Sequence, residues 1–324
     1  MIKYQELLQN SLAFSIIKRD VAENMLSHAY MFISEDTAAL DEFCKLFLEA
    51  VYCANDMCQK CGECKKILNR NHPDVIHIER DKNISVEDVK NIVENSYISS
   101  VEGGKKVFVI HQGEKMNKLA QNKLLKVLEE PSPNVIILFT VGNTSAILST
   151  IKSRVKKINL DIFDSDKIYD ELMKTTDNSD KAKAAAICCE GMIGKAEKLL
   201  SNESYLELYD KCIGLLTNLT HSSQIVNFIG DSMFSKENIV DTMDILMLIL
   251  RDTAIVSKDK GLIIGKHKTE EIVKLSASYN TACAIGIIER IEKMKKLLYY
   301  NINNTNVAEQ LMFAILEVKF RCNR

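Results

Sequence analysis

The first 160 residues alternate between two hydrophobic periods, and this alternation constrains the fold more than any other feature of the sequence. Five short apolar runs predict β-strands, at 30–33, 74–78, 106–110, 134–141 and 155–160. Segments with a helical period lie between them, at 37–52, 85–99, 117–130 and 144–153. The run at 134–141 is apolar on both faces, as a strand buried inside a parallel sheet would be. The pattern therefore predicts a parallel α/β domain.

The pattern changes beyond about residue 161, where helix-period segments continue to 308–320 without further strands. Gly191 and Gly194 interrupt one such segment and predict two short helices there. A chain of 324 residues is too long for one ordinary core, so two or three domains are expected. We predict an α/β domain over 1–161, a small helical domain over 162–208 and a larger helical domain over 209–324.

Composition and charge narrow the class of protein. Hydrophobic residues make up 46% and charged residues 27% of the chain, as in soluble globular proteins. No apolar run approaches the roughly 18 residues of a membrane span, and the N-terminus lacks the form of a signal peptide, so we predict a cytoplasmic protein. The formal net charge of -2 argues against a protein that grips DNA by itself, because such proteins carry a basic excess.

Four of the ten cysteines lie within one short loop, and they are Cys53, Cys58, Cys61 and Cys64. In a reducing cytoplasm such a cluster favours metal binding or catalysis over disulfide bonds. Structural zinc takes four tetrahedral ligands and accepts thiolates, and Gly62 permits a tight turn between the last two cysteines. The count and spacing predict a structural Zn²⁺ site on these four residues.

Two other interpretations of the cysteine cluster stay open. The cysteines can serve as small buried hydrophobic residues, or two of them can form a redox Cys-x-x-Cys pair. The spacing also departs from the paired C-x2-C…C-x2-C ribbon, which leaves the identity of the fourth ligand open. His72 is the reserve ligand.

A parallel α/β domain invites a search for a phosphate-binding loop between its first strand and the helix that follows. The segment there, ISEDTAALDEF, has no glycine and no lysine, whereas such a loop needs both to approach and reach phosphates. Glu35, Asp36 and Asp41 would repel phosphate. After the third strand only Glu114 is acidic, and His111 is expected to be an ordinary edge residue. We predict no productive ATP binding and no ATP hydrolysis.

Five motifs follow one another in the first half of the chain: SHAYMF (27–32), the four-cysteine loop, NHPDV (71–75), KMNKLAQNKLLKVLEEPSPN (115–134) and TIKSRV (150–155). In this order they resemble the delta-prime subunit family of the bacterial DNA polymerase III clamp loader, an AAA+ relative. GMIGKAEKLL (191–200) is a weaker echo of the same family. The resemblance runs nearly end to end, and the first 160 residues are its more specific part.

The resemblance implies an AAA+-like α/β domain with an inserted zinc knuckle, a small helical lid domain and a C-terminal helical collar domain. It also implies a place in a five-subunit arc beside ATP-binding gamma/tau subunits and the delta subunit. That arc opens the sliding clamp and loads it onto primed DNA during replication. Members of the family commonly lack a working phosphate loop, so the chain is expected to be no enzyme by itself.

One residue role is also implied by the resemblance. The Ser-Arg-Cys motif of the family corresponds here to Ser153, Arg154 and Val155. Arg154 then resembles an arginine finger that reaches in trans toward the γ-phosphate of ATP on a neighbouring gamma subunit, with Ser153 as its motif partner. The residues alone favour a different interpretation, in which KSRVKK is a basic and solvated helix end.

Two alternative functions come from other classes of protein. The first is a gamma-like subunit that hydrolyses ATP through an unusual phosphate loop, which the glycine-free turn opposes. The second is a free-standing zinc-dependent DNA-binding protein, which the acidic charge balance opposes.

Overall fold

A computed structural model describes residues 1–79, 83–102, 104–201, 203–256, 263–264, 268–298 and 303–322. The chain divides into two compact units. The first comprises Met1–Lys167 with Gly191–Lys195, and the second comprises Ile168–Glu190 with Ala196–Arg324. The further division into lid and collar domains near residue 208 stays a prediction.

The first unit is built on five strands: β1 (Ala29–Ile33), β2 (Val75–Ile78), β3 (Lys106–Ile110), β4 (Val135–Val141) and β5 (Lys156–Asn159). They form one sheet in the order β2-β3-β4-β1-β5, and every pair in it is parallel. The central strand β4 is buried along its whole length. The predicted parallel α/β fold is confirmed.

Seven helices accompany the sheet in the described part of residues 1–160: α1 (Gln5–Gln9), α2 (Leu12–Ala22), α3 (Thr37–Tyr52), α4 (Gly62–Leu68), α5 (Val86–Ser96), α6 (Lys118–Glu129) and α7 (Ser149–Lys152). Strand β1 shows how both faces of the sheet are covered. Tyr30 and Phe32 pack against Phe43 and Phe47 of α3. Met31, which points the other way, belongs to the core that α5 and α6 cover. Burial on both faces is what a parallel sheet requires.

One predicted helix is wrong. The segment 144–153 forms a 3-10 turn (Thr144–Ala146) and then α7, instead of one continuous helix. The buried side chain of Gln121 on α6 explains the break. Its amide nitrogen donates to the Ala146 carbonyl at 2.9 Å, and its oxygen accepts the Leu148 N–H at 2.8 Å. These tertiary bonds replace the hydrogen bonds that a continuous helix would make.

The described elements of the second unit are helices, and two further helices, α8 and α10, cross the unit boundaries. In order they are α8 (Ser165–Leu172), α9 (Ser179–Cys188), α10 (Ile193–Ser201), α11 (Glu203–Asn218), α12 (Ile225–Ile229), α13 (Ile239–Ile255), α14 (Thr269–Ser278), α15 (Thr281–Leu298) and α16 (Asn304–Cys322). The predicted break between two short helices is confirmed at α9 and α10.

Helix α13 is the centre of the second unit, where it packs against α11, α14 and α15, and α15 in turn packs against α16. The buried Tyr279 hydroxyl donates to the Leu216 carbonyl at 2.7 Å and thereby joins the end of α14 to α11. The predicted combination of a parallel α/β domain with a helical remainder is confirmed for the described residues. Among the described residues, no helix combines the length and apolar character that a membrane crossing requires.

Candidate metal centre and arginine site

The cysteine loop (residues 53–64) connects α3 to α4. Cys53 is the first residue after α3, and Cys61 is the N-cap of α4. Between them, Asp56, Met57 and Gln59 adopt positive φ angles of 49°, 55° and 54°. Non-glycine residues rarely take this conformation, because the Cβ crowds the backbone. Cys64 lies in the first turn of α4, so a helix start as well as a loop positions the four thiols.

The four Sγ atoms of Cys53, Cys58, Cys61 and Cys64 all lie within 4.8 Å of one another. Cys53 Sγ is 3.7 Å from Cys58 Sγ and 3.8 Å from Cys61 Sγ. Zinc–sulfur bonds of about 2.3 Å in a regular tetrahedron place neighbouring sulfurs about 3.8 Å apart. A disulfide would hold them at about 2.05 Å, and all four cysteines are free. The donor set therefore fits a tetrahedral metal ion of the size of zinc.

Backbone N–H groups of the loop point at the sulfurs. The Cys58 N–H donates to Cys53 Sγ at 3.5 Å, the Cys61 N–H to Cys58 Sγ at 3.4 Å and the Cys64 N–H to Cys61 Sγ at 3.5 Å. Backbone hydrogen bonds from Lys60 and Cys61 lower the pKa of the Cys58 thiol to about 6. Such bonds favour the thiolate, which is the form that binds metal.

The cysteine loop also contacts helices outside itself. The buried Met57 accepts a weak hydrogen bond from Gln9 of α1 at 3.8 Å through its sulfur, and Gln59 donates to Gln5. Glu49 of α3 is fully buried next to Cys64. Burial raises the pKa of the Glu49 carboxyl to about 7. Sequence reasoning missed Glu49, because nothing local distinguishes it from a solvated helical glutamate.

The reserve ligand His72 lies in a separate cluster with Glu63 and Glu102. Its Nδ1 accepts the Asp74 N–H at 3.1 Å, so Nδ1 carries no proton. In neutral His72 the proton is therefore on Nε2, which donates to Glu63 Oε2 at 2.8 Å. With both nitrogens engaged, His72 has no lone pair to offer a metal. The candidate ligand set therefore consists of the four cysteines without His72.

The NHPDV motif anchors the sheet edge near this cluster. Asp74 is fully buried, and its carboxylate accepts the N–H groups of Val101 and Glu102 at 2.6 and 2.9 Å. The Tyr52 hydroxyl donates to the Lys105 carbonyl at 2.7 Å, and its ring lies 4.1 Å from the His72 ring. These contacts give the motif a structural role.

The turn between β1 and α3 consists of Ser34, Glu35 and Asp36. Three residues are too few for a phosphate-binding loop, which spans eight positions in the G-x-x-x-x-G-K-[ST] motif. Asp36 instead caps α3, with its Oδ1 accepting the Ala39 N–H at 3.1 Å. This geometry agrees with the glycine-free sequence of the turn.

The description of His111 as an ordinary edge residue is wrong. His111 is buried directly after β3, and its Nε2 lies 3.0 Å from Nδ1 of His77. On its other side, Nδ1 is 3.4 Å from Asp41 Oδ1. The nearby Glu114 accepts the Gly142 N–H at 3.1 Å. Polar groups at this end of the sheet are therefore bonded to one another.

The Arg154 corner comprises residues 150–154 together with Glu129. The Arg154 guanidinium donates to the Thr150 carbonyl at 2.9 Å and forms an ion pair with Glu129, the last residue of α6, at 2.8 Å. Ser153 donates to the same carbonyl at 3.0 Å. The Arg154 side chain is 36% exposed. Val155 is buried in the core.

A family model described as "DNA polymerase III, delta subunit" matches residues 9–164. The chain is 25% identical over 313 residues to DNA polymerase III subunit delta' of Bacillus subtilis, which covers 93% of this chain and 94% of the relative. It is 26% identical over 251 residues to subunit gamma/tau of Mycoplasma genitalium, covering 76% of this chain and 39% of that relative.

A solved structure of a gamma-subunit-related protein from Thermotoga maritima is also similar, with a TM-score of 0.46, 18% identity and coverage of 94% of this chain and 99% of that one. The chain is thus similar in sequence to delta' and gamma/tau subunits of DNA polymerase III. Its resemblance to the delta-prime subunit is confirmed, because the Bacillus subtilis delta' relative aligns over nearly the full length of both chains.

Proposed function

We propose that the chain is a cytoplasmic, non-hydrolysing delta-prime subunit that assembles with gamma/tau and delta subunits to load the sliding clamp onto primed DNA. The homology to delta' and gamma/tau subunits supports this assembly. The three-residue turn between β1 and α3 carries the non-hydrolysing part, because it leaves no room for a phosphate-binding loop. By itself the chain is then no enzyme, and it contributes to the ATPase of the loader through a partner.

The proposed contribution is Arg154, which reaches toward ATP on a neighbouring gamma/tau subunit. A guanidinium in this position stabilises the charge that develops during phosphoryl transfer. The exposed fraction of Arg154 supports the role, since a partner can approach the side chain. Its ion pair with Glu129 is half-exposed and is therefore weak, so exchanging the carboxylate for a phosphate costs little. Ser153 shares the Thr150 carbonyl and helps to fix the turn that carries the arginine.

We also propose that the four cysteines bind one structural Zn²⁺. The tetrahedral sulfur spacing and the N–H···S bonds support zinc, and the contacts of the loop with α1 support a structural role. When bound, the ion would supply folding free energy and no chemistry of reaction. Cys53, Cys58, Cys61 and Cys64 would hold it through their thiolates.

The test is a reconstituted loader with gamma/tau and delta subunits, in which clamp- and DNA-stimulated ATP hydrolysis is measured. Arg154→Ala should assemble normally and reduce the stimulated rate. Arg154→Lys should restore little, because an ammonium lacks the planar fork of a guanidinium. Lys157→Ala, which removes an exposed positive charge three residues away, is the matched control and should leave the rate unchanged.

The gamma-like alternative makes the opposite prediction for the isolated chain. A subunit with its own ATP site would bind Mg-ATP in calorimetry without partners. The proposed delta-prime subunit gives no heat of binding at millimolar nucleotide. A saturable heat of Mg-ATP binding would favour the gamma-like function, whatever the result for Arg154.

A further inference from the structure

The carboxylate of Asp36 lies between two helix N-termini. Its Oδ1 accepts the Ala39 N–H in the first turn of α3 at 3.1 Å. Its Oδ2 accepts the Gly194 N–H in the first turn of α10 at 2.7 Å. Helix N-termini carry a positive partial charge, so an anion between two of them is stabilised from both sides. Asp36 is only 7% exposed, which strengthens both interactions because little water competes for them.

Gly194 approaches Asp36 more closely than any other residue type permits. A Cβ added at Gly194 would overlap Asp36 Oδ1 and come within 2.7 Å of Ala38 Cβ. Real Cβ atoms essentially never make contacts this short, so a side chain at this position forces the segment away from α3. The glycine is therefore required for the hydrogen bond from its N–H to Asp36.

A second glycine holds the same segment at its other end. Gly191 has a φ of 83°, a conformation that L side chains rarely adopt. Its carbonyl accepts the Phe163 N–H at 3.0 Å. Residues 191–195 are thus bonded to residues 36 and 163 of the same unit, and the first of these contacts lies at the start of α3. The GMIG motif has in this way a physical role that spacing alone did not indicate.

The N-terminus of a helix that follows a β-strand is a natural binding place for phosphate, because free N–H groups point outward there. Here the Asp36 carboxylate already uses the Ala39 N–H and adds a negative charge. A phosphate would have to displace this carboxylate from both helices. The Asp36 carboxylate thus occupies the position at the start of α3 where a phosphate would bind. The turn does more than lack the residues of a phosphate-binding loop.

We propose that Asp36 is a built-in anion that closes the N-terminus of α3 to phosphate and fastens residues 191–195 to it, whether or not nucleotide is present. We call this contact the Asp36 clasp, and it consists of the two hydrogen bonds that Asp36 accepts from Ala39 and Gly194. It rests on the non-hydrolysing part of the proposed function and deepens it, and it does not depend on Arg154 or on the cysteines. The Asp36 variants distinguish the two proposals, because an unchanged exchange rate at Gly194 would overturn the clasp and leave the proposed function standing.

Amide hydrogen exchange of the full chain tests the clasp, with Gly194 and Ala39 as the reporting amides. Asp36→Ser keeps a cap for Ala39 but is too short to reach Gly194. Asp36→Asn keeps one oxygen and replaces the other with an NH2 group that cannot accept a hydrogen bond. Asp36→Ser should accelerate exchange at Gly194 by about 10- to 100-fold, as expected for loss of a charged hydrogen bond. In Asp36→Asn the one remaining oxygen can accept from only one of the two amides, so exchange should accelerate at Gly194 or at Ala39. In Asp36→Ser, Ala39 should change less than Gly194.

Gly194→Ala supplies a steric test with a matched control. Gly214→Ala lies within α11, where an added Cβ meets nothing within 4 Å, so it should keep or raise the melting temperature. Gly194→Ala should lower the melting temperature or accelerate exchange across 191–195. If Gly194→Ala does not fold, the two Asp36 variants still decide the question.

The expected result in the wild type is a protected Gly194 amide whose exchange is the same with and without millimolar Mg-ATP. Exchange at Gly194 as fast as in an unstructured peptide would overturn the proposal. So would an unchanged rate in both Asp36 variants, or a rate in the wild type that responds to Mg-ATP.

Discussion

The cysteine loop and the Arg154 corner lie in the same compact unit, but they differ in how far their side chains are engaged within the chain. In the loop, sulfurs, backbone N–H groups and the side chains of Met57 and Gln59 all have partners within the chain. In the corner, the guanidinium of Arg154 is 36% exposed and makes one ion pair and local hydrogen bonds. The contacts of the loop stay within the chain, whereas the corner exposes a positive charge to solvent.

The structure of a single chain can therefore test a function for one of these regions more directly than for the other. A metal site is complete within one chain, so donor type and sulfur spacing test it directly. An arginine that acts in trans has its reacting atoms on another molecule, so its geometry alone is also that of a solvated basic residue. Substitutions at four residues test this difference between the two regions.

The largest effect is expected for Cys61→Ser. Cys61 is the N-cap of α4, and serine is a good N-cap, so the substitution removes a thiolate while it keeps the cap. Loss of the zinc should lower the free energy of unfolding by more than about 4 kcal/mol. Metal analysis and denaturant unfolding measure both changes. Cys322→Ser, at the far end of the chain, is the control, and an unchanged zinc content in Cys61→Ser would contradict the four-cysteine site.

A smaller loss is expected for Asp74→Ala. The substitution leaves the buried N–H groups of Val101 and Glu102 without their acceptor, which should cost about 2–3 kcal/mol of unfolding free energy. Asp164→Ala, whose side chain is 83% exposed, should change stability by less than about 0.5 kcal/mol. Equal effects of the two substitutions in urea denaturation would argue against the anchoring role of the NHPDV motif.

A third effect depends on pH. Burial is the main cause that lowers the pKa of His77 to about 4, with a further electrostatic effect of the neighbouring His111 and Arg70, while Glu79 and Asp41 act in the opposite direction. In the unfolded chain His77 titrates near 6.5, so the unfolded state binds more protons between these values. This contribution to stability is complete above pH 6.5 and is lost as the pH falls toward 4.

Between pH 6.5 and 5, His77 should account for a loss of about 1 kcal/mol, less than the full linkage value because the ring is only partly buried. His77→Gln should remove this part of the pH dependence. Unfolding curves at several pH values measure it, and identical slopes for wild type and variant would show that other groups carry the acid sensitivity.

The smallest effect on stability is expected at the Arg154 corner. Arg154→Ala removes a half-exposed ion pair and should cost no more than about 1 kcal/mol. Glu129→Gln should lower the free energy of unfolding by a similar amount, and its difference in unfolding free energy from the wild type should shrink as salt is added. A loss several times larger for Arg154→Ala would make it a structural residue and remove the contrast with the cysteine loop.

Much of the α/β unit could be predicted, because strands buried on both faces leave continuous apolar runs. The predicted strand 106–110 and helix 37–52 coincide with β3 and α3. The helix predicted over 144–153 failed because Gln121, more than twenty residues away, bonds the backbone at its break. Periodicity reports local spacing and contains no information on such distant partners.

The candidate sites divide in the same way. Cysteine count and spacing predicted a set of thiols that the structure brings together, since a short loop limits their separation. The partner of His111 is His77, on another strand, and the partner of Asp36 is Gly194, on another helix. Neither pairing can be predicted from the sequence, because the partners are far apart along the chain and meet only in the folded structure.

The most direct test of the central claim is the single-turnover rate of ATP hydrolysis by the reconstituted loader, measured after assembly has been verified. If Arg154 acts on a partner's ATP, Arg154→Ala should slow hydrolysis at the site it faces by about 10³-fold, and Lys157→Ala should leave it unchanged. A single-turnover rate that Arg154→Ala does not alter would contradict the claim.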